Sequence, residues 1–182
     1  NLDLERIIPG KDENTAFDQK SIMNSHDVFH NYKVGFEQKT SSRNIFMAQF
    51  NGSNNPEHEI STSHTRIGPN FVQLDSILNS ITNDDKRFNR YSFNANNEFK
   101  IDTLGRKLTA DFDASFFKTN QFINYDYRTY LPDMSYKYDP EFERSNSNVD
   151  IKILATKLDY TQPLWNGVLE AGAKYSNVTS DN

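Results

Sequence analysis

The chain has no cysteine, which excludes disulfide frameworks, thiol catalysis and cysteine-ligated metal. No apolar run approaches the roughly 20 residues of a membrane-crossing helix. No signal-peptide pattern appears, and the first residue is Asn1 rather than methionine, so the chain is expected to be a piece of something longer. Cationic clusters are also missing. The net charge is −5 and the pI near 5.4, with basic residues scattered, which argues against a nucleic-acid partner. Apolar material is scarce: 35% of 182 residues, with a mean hydropathy of −0.81. A globular domain of this size needs more to offset the entropy of ordering its chain.

What the sequence does contain is alternation. Tyr91, Phe93, Ala95, Phe99 and Ile101 share one parity, with Ser92, Asn94, Asn96, Glu98 and Lys100 between them. After Asp102-Thr103-Leu104-Gly105 the pattern restarts. Leu108, Ala110, Phe112, Ala114 and Phe116 face one way; Lys107, Thr109, Asp111, Asp113 and Ser115 face the other. Strand side chains point alternately to opposite faces, so this is a hairpin with one apolar and one strongly polar face. Each arm has the roughly 9–11 residues that a tilted strand needs to cross a bilayer. A transmembrane β-barrel puts lipid on one face and water on the other, and it tolerates low hydropathy because only every second residue meets lipid.

Elsewhere the signal is weaker. Residues 1–27 are polar and lack sustained periodicity, which predicts an N-terminal polar lead, with a turn at Pro9-Gly10 and at most a short strand. From Val28 alternation begins with Tyr32, Val34 and Phe36, then Phe46, Ala48 and Phe50 after a short connection at residues 40–43. Gly68-Pro69-Asn70 reads as a turn. Phe71, Leu74, Ile77, Leu78 and Ile81 have helical spacing, but a returning strand through Val72-Gln73-Leu74, interrupted near Asn83-Asp84-Asp85, fits the poor helix formers around it better. Ile151, Ile153 and Ala155 share one parity while Leu158 and Tyr160 share the other, which predicts a bulge between them. Pro163 to Gly167 closes a turn before Leu169, Ala171, Ala173 and Tyr175.

Short connections near residues 40–43, 102–105 and 162–167 therefore alternate with long polar ones near 51–85 and 120–148. Outer-membrane barrels sort their turns and loops in this way; a sandwich has no reason to. Gly105 and Gly167 fall where a turn often needs positive φ.

Chemistry-bearing residues are few. Tyr125, Tyr127, Tyr130, Tyr136 and Tyr138 crowd the second long connection, where amphipathic rings could stack on a sugar or grip a peptide. The plainer account is packing of a hairpin extension or an interfacial girdle. His58 and His64 lie about 20 Å apart along a strand, too far to share an ion, and His26 and His30, read as loop residues, fare little better, so no metal site is predicted. Asp111 and Asp113 fit a hydrated lumen, and Trp165 fits an interfacial anchor or a core cap. No nucleophile elbow, phosphate loop or paired-carboxylate motif is present, so neither catalysis nor a cofactor is expected.

The run Tyr91-Ser92-Phe93-Asn94, Ile101 to Gly105 and Leu108 to Asp113 resembles the outer membrane protein β-barrel family of Gram-negative bacteria. The resemblance continues in Glu143-Arg144-Ser145-Asn146 and is strongest in Lys157 to Leu164, Asn166-Gly167 and Leu169 to Tyr175. It covers about the last hundred residues; Gln162 stands where the family run has histidine. The family is related to TonB-dependent receptors, which add a plug to a large barrel and take up bulky nutrients. With about six membrane-length arms against the 22 strands of a full transporter, the chain resembles a middle slice of one.

The expected fold is an all-β, antiparallel up-and-down meander, a segment of a transmembrane β-barrel. A lead over 1–27 precedes a barrel segment over 28–182 with long loops at about 51–85 and 120–148. Phe93, Phe99, Phe112, Phe116, Leu169 and Tyr175 would face lipid. The resemblance implies a receptor in the outer membrane that imports a glycan, peptide or chelate. Its partners would be membrane lipid, the rest of the parent barrel and plug, an energy-transducing TonB-type protein and the extracellular ligand. The alternative is a soluble, secreted β-domain binding glycans through the tyrosine loop.

Overall fold

The structure is a computed structural model and describes residues 1–11 and 13–182. Among these residues there is no helix. Eight strands follow one another: β1 (Leu2–Ile8), β2 (Thr15–Asp27), β3 (His30–Ser41), β4 (Asn44–Gly68), β5 (Ser76–Lys100), β6 (Lys107–Tyr130), β7 (Glu141–Leu164) and β8 (Gly167–Asp181). They form one sheet in the order β1-β2-β4-β5-β6-β7-β8, with β3 paired to β4 as well. The fold is thus the antiparallel meander of a barrel segment. Contacts divide it into two units, and β4 to β7 contribute residues to both.

The first unit comprises residues 1–28, 56–86 and 120–147. Here β2 pairs with β1 on one side and with β4 on the other, from Ala16↔Gly68 to Asp27↔Glu57. One of its buried spots is polar. Ser21 and Ser63 lie opposite each other and share a 3.0 Å hydrogen bond, and Gln19 Nε2 donates to Ser63 Oγ at 2.8 Å. β2 ends where Val28 N–H donates to Pro56 O at 3.1 Å. Pro56 has no N–H to return, so the ladder loses a bond there. Asn70 closes the turn after β4 by accepting from Val72 N–H and Gln73 N–H.

The second unit comprises residues 29–55, 87–119 and 148–182. Its three hairpins turn at Ser42-Arg43, at residues 101–106 and at Trp165-Asn166. Asp102 builds the middle turn, accepting from Leu104 N–H at 2.9 Å, from Arg106 N–H at 3.1 Å and from the Arg106 guanidinium. Those donors hold its carboxyl below the usual carboxylate range, the Arg106 side chain most of all.

Several expectations need correction. Residues 1–27 are two strands rather than a polar lead (Asp12 lies outside the described residues), because strand pairing with β4 supplies the order that periodicity did not signal. The long loops shrink to turns at residues 69–75 and 131–140, since β4 to β7 each run 24 or 25 residues. Val72 to Leu74 belong to the first of these turns, and β5 passes Asn83-Asp84-Asp85 without interruption. No bulge separates Ala155 from Leu158: β7 and β8 keep one register from Asp150↔Asp181 to Leu164↔Gly167. Ile151 and Ile153 instead occupy the parity of Lys157 and Asp159. In the last turn Trp165, at φ 52°, takes the left-handed conformation expected of Gly167; Gly105 does adopt it, at φ 99°.

Gly105 has a second constraint, for a Cβ there would lie 2.9 Å from Pro163 Cγ. Gly105→Ala should therefore destabilise the chain by about 1–3 kcal/mol. The loss would appear as a lower urea midpoint by circular dichroism in detergent micelles, whereas Leu104→Ala, at an exposed turn position, should leave the midpoint unchanged.

Candidate functional site

The second unit carries most of its aromatic side chains on one parity and leaves them uncovered, while Met47, Ile151, Ile153 and Val178 lie on the other. Phe93, Phe99, Phe112 and Phe116 are each about 40% exposed, and Leu169 and Tyr175 more so. These are the six residues expected to face lipid. Rings on neighbouring strands touch: Phe36 with Phe46 at 5.8 Å, Tyr32 with Phe50 at 6.1 Å, Phe50 with Tyr91 and Phe93 with Phe112 at 6.4 Å. Ala48 and Ala114 lie buried between them, small residues closed over by large neighbours. Among the described residues no large side chain is fully buried.

The row has two borders. From Tyr91 on β5 to Ile101 just past its end there are ten steps of about 3.3 Å; tilted at about 40°, that spans roughly 25 Å, the height of an outer-membrane apolar band. At the Tyr91 end the same parity turns polar. Asn54 donates to Asn89, and Lys118 pairs with Asp150 at 3.8 Å. At the other end lie the short turns with Arg43, Asp102, Arg106 and the almost fully exposed Trp165. Each apolar side chain moved out of water gains about 1.5–3 kcal/mol, so these rings together outweigh any exposed ion pair at the borders, worth about 1 kcal/mol or less.

The opposite parity is a hydrogen-bonded polar surface. Asn94 donates to Asp113, Asn96 to Asp111 and Asn51 to the buried Ser92, while Lys107 lies 3.8 Å from Glu98. Arg90 sits over the Phe117 ring at 5.4 Å, so the one phenylalanine of β6 on this side is capped by a cation. A sheet with polar groups packed and apolar groups exposed inverts the order required in water.

In the first unit the five tyrosines divide. Tyr125 and Tyr127 stack at 5.9 Å on one parity of β6. Tyr130 lies on the other parity and stacks on Tyr136 at 5.0 Å, where the chain makes an isolated bridge across the turn. Tyr138 stands apart, exposed, with Lys137 Nζ 5.8 Å from its ring. Burial, the Glu143 carboxylate and Tyr125 push the Tyr127 phenol up. The hydrogen bond with Tyr136 does most to push the Tyr130 phenol up.

Three polar contacts around these rings were not singled out in the sequence. Arg128 makes a two-pronged pair with Asp126, Nε to Oδ1 at 3.0 Å and Nη2 to Oδ2 at 2.8 Å, beside Tyr130. Their i, i+2 spacing was readable as one face of a strand. Lys137 Nζ reaches Asp75 Oδ2 at 2.9 Å and ties the two turns of this unit together, a contact no local pattern signals. Asp133 accepts from Ser135 Oγ at 2.6 Å and from Ser135 N–H at 3.0 Å, which holds its carboxyl below the usual range. Among the described residues no group of three or more ligating side chains is arranged around a metal position.

Residues 99–182 match the model of the outer membrane protein beta-barrel family. No curated protein matches the chain. The matched stretch takes in both the Leu108–Phe116 row and the whole of β7 and β8. Residues 99–182, just under half of the chain, are therefore similar to membrane-barrel proteins of the outer membrane.

The Asp133 contacts set a pH dependence. Its lowered carboxyl stabilises the turn fully above the unfolded value, about 3.9, and the contribution fades as pH falls through the lower folded value. The Ser135 amide shift should titrate with a midpoint below that of a free aspartate, and Asp133→Asn should abolish the titration.

Proposed function

We propose that this chain, whose residues 99–182 are similar to the outer membrane protein β-barrel family, is part of a receptor-type barrel of a Gram-negative bacterium, related to TonB-dependent receptors, that binds and admits a bulky nutrient without catalysing a reaction on it. The reading rests on one observation: a single-layer sheet whose phenylalanine and leucine row is uncovered on one parity and whose other parity is a hydrogen-bonded polar wall. Lipid covers the row. The polar wall faces a hydrated lumen, where Asn, Ser and Asp exchange hydrogen bonds with water at little cost.

The tyrosine region supplies the contact surface. Tyr125 with Tyr127 offers one stacked pair and Tyr130 with Tyr136 another, and the Asp126–Arg128 pair adds donors and acceptors beside the second. Stacked amphipathic rings suit a glycan, peptide or aromatic chelate. The parent chain supplies the remaining strands, a plug and the contact with a TonB-type energy transducer. A soluble glycan-binding domain would leave the phenylalanine row facing water.

Vesicle flotation tests the reading. The chain should float with phospholipid vesicles, and Phe112→Lys should weaken folding into them by about 2–4 kcal/mol, the cost of a cation at mid-bilayer. Ser115→Lys, on the polar parity, should cost less than about 1 kcal/mol. Equal effects from the two substitutions, or a chain that stays monomeric and vesicle-free without detergent, would contradict it.

A further inference from the structure

Strand register in the first unit joins two histidines that sequence spacing kept apart. His26 of β2 lies directly opposite His58 of β4. Opposed residues on antiparallel strands project to the same face with Cβ atoms about 4.5–5.5 Å apart, close enough for two imidazoles to converge on one ion at metal–nitrogen distances near 2.0–2.1 Å. His58 Nδ1 is 2.7 Å from Asp85 Oδ1 on β5. That contact orients the ring, and with the proton on Nδ1 it leaves Nε2 as a ligand atom. A carboxylate holding the far nitrogen of a histidine is the usual outer partner of a metal-bound imidazole. All three side chains come from three successive strands of the sheet, a rigid frame, and both His58 and Asp85 are about half exposed, open to an ion from solvent.

Along the ladder the neighbours of this pair on its own face are uncharged. Asn24 and Ile60, the next opposed pair on this face, carry no charge, while Asp27, Glu57 and Glu59 fall on the other parity. Among the described residues His26 makes no hydrogen bond that ligation would have to break. His64, the partner considered from spacing alone, is instead bonded to Asn79 at 2.7 Å and faces Lys20 across the ladder.

We propose that His26 and His58, with Asp85 orienting His58, form a two-imidazole site for a divalent transition-metal ion such as Zn²⁺, completed by water. Neutral imidazole selects zinc, copper or nickel over magnesium and calcium, which prefer oxygen. Calorimetric titration of ZnCl₂ into the full chain in detergent micelles should show one ion bound, with MgCl₂ giving no signal. His26→Gln and His58→Gln should each weaken binding at least tenfold. Asp85→Asn should weaken it about tenfold, as expected when the outer partner is lost. His30→Gln and His64→Gln should leave binding unchanged, and circular dichroism should show every variant folded. Absence of zinc binding, or binding that survives His26→Gln, or equal loss in His64→Gln, would overturn the site.

Discussion

A sheet has two faces, and in water a one-layer sheet cannot hide either. That constraint governs the second unit. Phe93, Phe99, Phe112 and Phe116 are each about 40% exposed, and among the described residues the buried apolar ones are three alanines and one isoleucine. A soluble protein answers this with a helix layer or a second sheet. In the proposed reading hydrocarbon takes that place, and a mean hydropathy of −0.81 is compatible with a membrane protein because half of each strand never meets lipid. The low apolar content and the exposed rings are two aspects of one design.

The polar parity follows from the same constraint. Side chains that face water gain little from charge–charge contacts but must not clash, and Asn94–Asp113, Asn96–Asp111 and Asn51–Ser92 are short residues bonded across neighbouring strands. The turns obey a different rule. Asp102 gathers three donors around a sharp reversal, and Asp133 repeats the device at a smaller scale beside Met134, itself at φ 67°. In both places a carboxylate satisfies backbone N–H groups that a strand partner would otherwise take.

The parts legible in the sequence were those governed by parity. Leu108 to Phe116 alternate without a break and Tyr91 to Ile101 with one exception at Asn97, as a face selected for lipid would, and the structure keeps both rows. Residues 15–27 alternate poorly, since Asp18, Gln19, Lys20 and Ser21 are polar on either parity; their strand is held by backbone pairing to β4, which leaves no apolar signature. The same holds for residues 51–68 and 76–90, which look like loop and fold as ladder. The tyrosines were legible as residues but not as an arrangement. Their separation into two stacked pairs depends on where β6 ends and on the bridge at Tyr130 and Tyr136. Ser21 with Ser63 across a ladder and Lys137 with Asp75 between two turns lie 42 and 62 positions apart and depend on how the strands are paired.

Because the chain has no cysteine, a single spin-labelled cysteine can be placed in turn at positions 91 to 100 of vesicle-reconstituted protein. Collision with oxygen, which concentrates in hydrocarbon, is then compared with collision with a water-soluble nickel chelate. The account predicts a two-residue period, with odd positions reached by oxygen and shielded from nickel and even positions the reverse. Equal nickel access at both parities, or odd positions shielded from both reagents, would contradict it.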